Sequence, residues 1–291
     1  MTDITMTFAA LSDVGLARAI NEDAFQLTDL STGASFGASP SNGKLALGAG
    51  GVLLTLSDGM GGHAAGDVAA ATVISSVRGA LQANDTGPAE QRLEAAVLRA
   101  NADVIAAARV KGRHGMGATL TAVLVNHDTA YVAEVGDSRA YLLRSGQLKL
   151  LTRDQSLVQM LVDQGLMAPE EAETSPRKNI LLQAMGTSND IHAAIGQVTL
   201  RQGDKLLLCS DGISNAVSHD ELCEILATNG PWPACARLVQ LANDRGGDDN
   251  LTAVVALFEG SSLATPFPSE TVTATFAVIK DFGPKPAAAA P

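Results

Sequence analysis

Five short stretches set acidic side chains beside small or turn-forming residues: RAINED (Arg18–Asp23), SDGMGGH (Ser57–His63), VGDSR (Val135–Arg139), CSDGI (Cys209–Ile213) and GGDDNLT (Gly246–Thr252). Turn chemistry alone explains any single Asp-Gly, because both residues are favoured in turns. Two of the five, however, follow strongly apolar runs, GVLLTLSDG and KLLLCSDG. Their aspartates are expected at the ends of buried strands, held firmly and left open on one side. Carboxylates presented in that way are the ligands that hard divalent cations take. Asp58, Asp211 and Asp249, the last just ahead of a third apolar run, could converge at one end of a sheet.

Other chemistries fit less well. The glycine-rich SDGMGGHAAGD stretch contains neither GxxxxGK[ST] nor GxGxxG, so a nucleotide-cradling loop has little support. Its Gly59 leaves space for close approach and could lend a carbonyl to a cation. GDSRA (Gly136–Ala140) lacks the last glycine of a nucleophile elbow, which makes Ser138 a structural residue. Arg139 is expected to be an ion-pair partner and Asp248 a solvated turn residue. Cys209, Cys223 and Cys235 have neither the number nor the spacing of a disulfide framework or a CxxC zinc site, and are expected to be free thiols.

These residues need rigid elements behind them. Residues 4–56 alternate like strands around a Gly/Ser/Pro-rich insert, 31–44, expected to be a surface loop. Helical spacing of apolar residues runs over 67–81 and 88–110, and the two helices should pair antiparallel. Strands are expected over 118–127, 129–137 and 139–152, the last turning at Ser145-Gly146. An amphipathic helix over 154–167 leads into a polar flap, 168–179. Two strands over 191–201 and 204–211 precede helices near 218–228 and 233–244, the first with a Ser218/Glu221 capping-box spacing. A buried strand over 251–259 closes a single domain, 1–259. In the remaining tail, 260–291, a strand-like pattern over 271–279 is a candidate edge strand, and the GPKPAAAAP end is too poor in large apolar groups to fold. Strand groups interleaved with helix pairs favour sheets packed together under helices.

The 291 residues are 46% hydrophobic, ample for a packed core, and carry a formal net charge of −11. That charge argues against general nucleic-acid binding, which depends on clustered Lys and Arg. The apolar runs fall short of the roughly 18 residues that cross a bilayer, and the start, MTDITMTF, lacks a basic region before an apolar one. A cytoplasmic location without membrane insertion is the expectation.

The ordered series RxxNED, DGMGGHxxG, GxTL, VGDSRxYLxRxGxLxxLTxD, GDxxLLCSDG and GGxDNxT, spread over residues 5–258, resembles the PP2C-type (PPM family) metal-dependent protein serine/threonine phosphatases, in their bacterial form. The resemblance implies an α+β fold, an αββα sandwich of two packed antiparallel sheets flanked by helix pairs. It implies two Mn²⁺ or Mg²⁺ ions bridged by Asp58, one touching the Gly59 carbonyl, with Asp211 and Asp249 completing the other's shell. Asp23 and Glu22 would act largely through metal-bound waters, and Asp137 with Asp211 would hold a third ion. Arg18 matches the arginine that grips the substrate phosphate, and His63 is a candidate proton donor to the leaving group. Substrates would be phosphorylated proteins, and a cognate Ser/Thr kinase would be opposed. The flap departs from the family pattern: Gln155 stands where His is frequent, Leu182-Gln183 replaces a frequent Thr-Arg, and Ser175 replaces a His before Pro176.

Overall fold

Leu53 and Leu54 are neighbours in one strand, so their side chains leave it in opposite directions; both are buried. A strand covered on both faces reads as a continuous apolar run, and the architecture follows from that requirement. The computed structural model describes residues 3–61 and 65–282. Thr5–Asp13 (β1), Asp23–Asp29 (β2), Ser35–Phe36 (β3), Ser41–Ala46 (β4) and Val52–Met60 (β5) precede two helices, Gly66–Ala83 (α1) and Ala89–Ala108 (α2). Then come Gly117–Ala118 (β6), Leu120–Asn126 (β7), Thr129–Val135 (β8), Arg139–Arg144 (β9) and Gln147–Leu150 (β10), and the flap helices Leu157–Asp163 (α3) and Pro169–Thr174 (α4). Ala194–Thr199 (β11), Lys205–Cys209 (β12), Asp211–Ser214 (α5), His219–Thr228 (α6), Pro231–Asp244 (α7), Leu251–Glu259 (β13) and Phe276–Lys280 (β14) complete the order.

One sheet runs β10-β9-β12-β13-β1-β4, the other β14-β11-β8-β7-β5-β2-β3 with β6 extending β5. Phe8, Leu54, Val123, Leu206, Val254 and Phe258 fill the space between them. Outside the second sheet, Leu53, Leu120 and Leu124 pack with the apolar stripes of α1 and α2. Outside the first, Ala9, Leu207 and Val255 pack with α6 and α7. The result is an α+β, αββα sandwich in which each central strand feeds two of three cores. Each fully buried leucine is worth about 2 kcal/mol in removed apolar surface.

Local signals act as expected in several places. Ser145 (φ 50°) and Gly146 (φ 78°) both sit in the left-handed region and close the β9–β10 hairpin. Ser218 Oγ accepts from Glu221 N while the Glu221 carboxylate accepts from Ser218 N, capping α6. The insert over 31–44 departs from the surface-loop expectation, because it contains β3 and the first part of β4, and β4 pairs with β1 from Thr5↔Ala46 to Ala10↔Ser41. Gly43 accepts the Phe8 ring from below, where a Cβ would lie 3.0 Å from it. Turn-rich composition hid a strand whose pairing comes from a distant partner.

The segment beyond Glu259 contributes to the same core. A 3-10 turn, Val272–Ala274, leads into β14, which pairs antiparallel with β11. Gly196 seats the Phe276 ring, since a Cβ there would stand 2.8 Å from it. The fully buried Arg144 donates to both Asp204 oxygens (2.9 and 2.6 Å), to Thr199 O (2.8 Å) and to Thr275 Oγ1 (2.8 Å). Leu263 and Val272 enter the core between the sheets. The GPKPAAAAP end, 283–291, and the expectation that it does not fold lie outside the described residues.

Candidate metal centre

Antiparallel pairing of β2 with β5 sets Asp23 directly opposite Asp58. Like charges facing one another across a ladder repel, so this register needs protons or a cation between them. Asp58 is fixed by an exchange of bonds with Thr119: Asp58 N donates to Thr119 Oγ1 (2.9 Å) and Thr119 N donates to Asp58 O (2.8 Å). The Thr119 hydroxyl also meets Ser138 Oγ at 2.8 Å, which ties the Asp58 strand to the turn carrying Asp137. Asp23 Oδ2 accepts from Thr252 Oγ1 at 2.7 Å, and Thr252 Oγ1 meets Ser12 Oγ at 2.7 Å.

Asp211 opens α5 at the end of β12, and Asp249 lies two residues before β13. Asn250 organises the remaining side of the cleft. Its Nδ2 donates to Val14 O and Ile20 O, each at 3.0 Å, and its Oδ1 accepts from Glu22 N at 2.8 Å. The 14–22 loop is thereby clamped, and Arg18 on it donates to Asp249 Oδ2 at 2.8 Å. Gly15 must be glycine here, because φ is +78° and a Cβ would lie 2.2 Å from Asp249 O.

Electrostatics separate this cluster from ordinary surface acids. Burial, with added repulsion from neighbouring carboxylates, pushes Asp23 up to about 7 and Asp137 up to about 8. Asp58 is raised well above the carboxylate range and Asp211 is raised too, for the same reasons in the same order. Asp211 is among the carboxylates whose repulsion raises Asp58. Asp23 Oδ1 and Asp211 Oδ1 are buried with no hydrogen-bond partner. Leaving such atoms unpaired costs about 1–3 kcal/mol each or more, and a divalent cation would answer both the orphaned oxygens and the repulsion. The residues present therefore fit a hard metal ion. Among the described residues no three His, Cys, Asp or Glu side chains are gathered closely enough to form a metal-ion site by themselves.

Arg18, Asp58, Gly59, Asp137, Asp211 and Asp249 line one cleft of about 220 Å³. It meets a second cavity of about 460 Å³, under the flap, at Asp137 and Asp211. Backbone packs tightly around Gly59, where a Cβ would lie 2.1 Å from Gly66 O and 2.7 Å from Glu22 O. Glu22 also lines this cleft, its Oε1 accepting from Gly66 N at 3.2 Å. Arg139 is engaged elsewhere, forking onto Asp154 at 2.9 and 2.7 Å. His63 lies outside the described residues. Sequence reasoning did not single out Thr119, Thr252 or Asn250, although all three lie inside or beside the motifs; a hydroxyl or amide in a strand pattern gives no sign of what it will hold.

Known proteins share this arrangement of elements. The family model described as Protein phosphatase 2C matches residues 44–256. The serine/threonine protein phosphatase PstP of Mycobacterium tuberculosis is 37% identical over 254 residues, covering 87% of this chain and 45% of that protein. The chain thus spans under half the length of that relative. Protein phosphatase PhpP of Streptococcus pneumoniae is 35% identical over 216 residues, covering 72% of this chain and 88% of that one. A crystal structure of the catalytic domain of PstP in complex with two manganese ions superposes with a TM-score of 0.73 at 36% identity, over 88% of this chain and 99% of that one.

Proposed function

The chain belongs to the protein phosphatase 2C family, and from that premise we propose that it hydrolyses phosphoserine and phosphothreonine esters on proteins at a pair of Mn²⁺ or Mg²⁺ ions held in the carboxylate cleft. The observation that carries this reading is the buried opposition of Asp23 and Asp58 beside Asp211, with two orphaned carboxylate oxygens. When bound, such a pair of ions supplies Lewis acidity and a water made nucleophilic near neutral pH.

The chain's own residues supply the rest. Asp58, Asp211, Asp249 and the Gly59 carbonyl are the proposed direct ligands, with Asp23 and Glu22 acting through coordinated water. Asp137 and Asp211 are proposed to hold a third ion. Arg18 is the proposed phosphate-binding group, because a guanidinium fork can donate two parallel hydrogen bonds to phosphate oxygens. Its bond to Asp249 keeps it at the mouth of the cleft, on a loop that Asn250 holds in place. His63 is proposed to give the leaving alkoxide its proton.

Proteins phosphorylated by a Ser/Thr kinase are the proposed substrates, so the activity would oppose that kinase, and a cytoplasmic setting suits such work. Among the described residues no helix is long and apolar enough to cross a membrane. The test is phosphate release from a phosphothreonine peptide by the wild-type protein and by Asp211→Ala, with Mn²⁺ and with EDTA. Turnover should need Mn²⁺ and Asp211. Turnover that survives EDTA would refute the reading.

A further inference from the structure

Two of the flap departures from the family pattern, Gln155 and Gln183, touch one another. Gln183 Nε2 donates to Gln155 Oε1 at 2.8 Å, and the same oxygen accepts from Gly136 N at 2.8 Å. Gln155 Nε2 donates to Glu134 O at 3.2 Å, and Gln155 N donates to Gly136 O at 2.8 Å. One buried glutamine, 1% exposed, therefore holds both backbone polar groups of Gly136, the residue before Asp137. On its other side Gln155 O accepts from Leu182 N at 2.8 Å. Gln183 is itself fixed, its Nε2 donating to His192 O (2.6 Å) and its Oε1 accepting from His192 N (3.0 Å). A continuous set of bonds thus runs from the loop that follows the flap, at Gln183 and His192, to the turn that presents Asp137.

That turn has no freedom to spare. Gly136 has φ +111°, and a Cβ on it would stand 2.7 Å from Thr119 Cγ2. With the backbone so constrained, the direction of the Asp137 carboxylate depends on what holds Gly136, and from the flap side that is Gln155, whose amide oxygen is held in turn by Gln183. Neither amide ionises, so the hold does not vary with pH, and neither brings another charge to a cluster of buried carboxylates.

We propose that Gln155 and Gln183 are positioning residues that act through Asp137, an uncharged amide pair by which the base of the flap sets the third-cation side of the cleft. This rests on the reading of Asp137 as a cation ligand. Residues that orient metal ligands typically cost roughly 10- to 100-fold in metal affinity or activity when removed. Gln155→Ala should weaken Mn²⁺ binding by at least about tenfold at one class of sites and lower kcat on a phosphothreonine peptide by a similar factor.

The test is a double-mutant cycle with Asp137→Asn, read both by Mn²⁺ titration calorimetry and by kcat. In the Asp137→Asn background, Gln155→Ala should cause no further loss in either quantity. Equal losses in both backgrounds would overturn the proposal and leave Gln155 as a general structural residue. Should Gln155→Ala fail to fold, Gln183→Ala, nearer the surface, carries the same cycle, with Gln183→Asn expected to fail as Ala does because it cannot span to Gln155. If wild type binds Mn²⁺ but turns over no phosphopeptide, the calorimetric cycle still decides the positioning role while the phosphatase reading fails. If the wild-type protein binds no Mn²⁺, both fall.

Discussion

Arg18 and Asp249, 231 positions apart, meet at 2.8 Å across the mouth of the carboxylate cleft. The pair is half exposed on the arginine side, so its contribution to stability is small. Its value lies in placement: the only cation bonded directly to the cleft's carboxylates among the described residues is held at the proposed phosphate site, by an acid that is itself a proposed metal ligand.

Removing that cation should therefore cost turnover rather than folding. Arg18→Ala is expected to lower kcat/KM on a phosphothreonine peptide by roughly 30-fold, the equivalent of about 2 kcal/mol for a lost charge-assisted hydrogen bond. The melting temperature should stay unchanged. Arg18→Lys should recover only part of the loss, because an ammonium lacks the planar fork. Steady-state kinetics on the three proteins check this, and an unchanged kcat/KM in Arg18→Ala removes the phosphate role.

The raised carboxyls make the stability of the cation-free protein depend on pH with a distinctive sign. Asp23 and Asp137 rise to about 7 and about 8 on folding, from 3.8. Between about pH 4 and pH 8 the folded chain therefore binds more protons than the unfolded chain at these groups, and their contribution to stability falls as pH rises. Melting in EDTA should show that decline, and Asp137→Asn should make it shallower. Excess Mn²⁺ should abolish it, since the cation replaces the protons, and Mn²⁺ affinity should increase across the same range. A decline of the same slope in Asp137→Asn would contradict the assignment.

Gly59→Ala tests the crowded backbone beside Asp58. With Gly66 O 2.1 Å from the added carbon, the strand must shift. Overpacking of this kind typically costs about 1–3 kcal/mol, so chemical denaturation should move to lower denaturant, with Mn²⁺ binding weakened alongside. An unaltered midpoint would mean that the backbone can yield there.

A tail that closes a core should be missed when it is cut. Deleting residues beyond Glu259 removes Thr275 and Glu270 from the buried Arg144 and strips Leu263 and Val272 from between the sheets. A clear drop in melting temperature is expected. Arg144→Ala should be worse than most core truncations, about 3–5 kcal/mol, because it leaves Asp204 buried without its partner. A shortened chain that melts like the full one would place the domain boundary at Glu259.

The sequence made some of this plain and hid the rest for physical reasons. Asp58 and Asp211 stood out because an apolar run leading into Asp-Gly marks a buried strand near its end; β12 does stop at Cys209, whereas β5 continues past Asp58 to Met60. Arg18, Asp23 and Asp137 have no such local signature; only a resemblance to known motifs brought them forward, and their meeting depends on strand pairing across more than 200 positions. The hydroxyls of Thr119 and Thr252 were hidden because a threonine suits any strand. Strand β4 was obscured by its turn-forming residues, and the Gln155–Gln183 contact became visible only once the flap was folded against Gly136.

Crystals grown with manganese and measured at the manganese absorption edge test the central claim most directly. Two anomalous peaks roughly 3.5–4 Å apart should appear with the Asp58 carboxylate between them, and Asp58→Ala should lose them. A cleft with no anomalous peak in the wild-type protein would contradict cation binding by these carboxylates and, with it, the proposed hydrolysis.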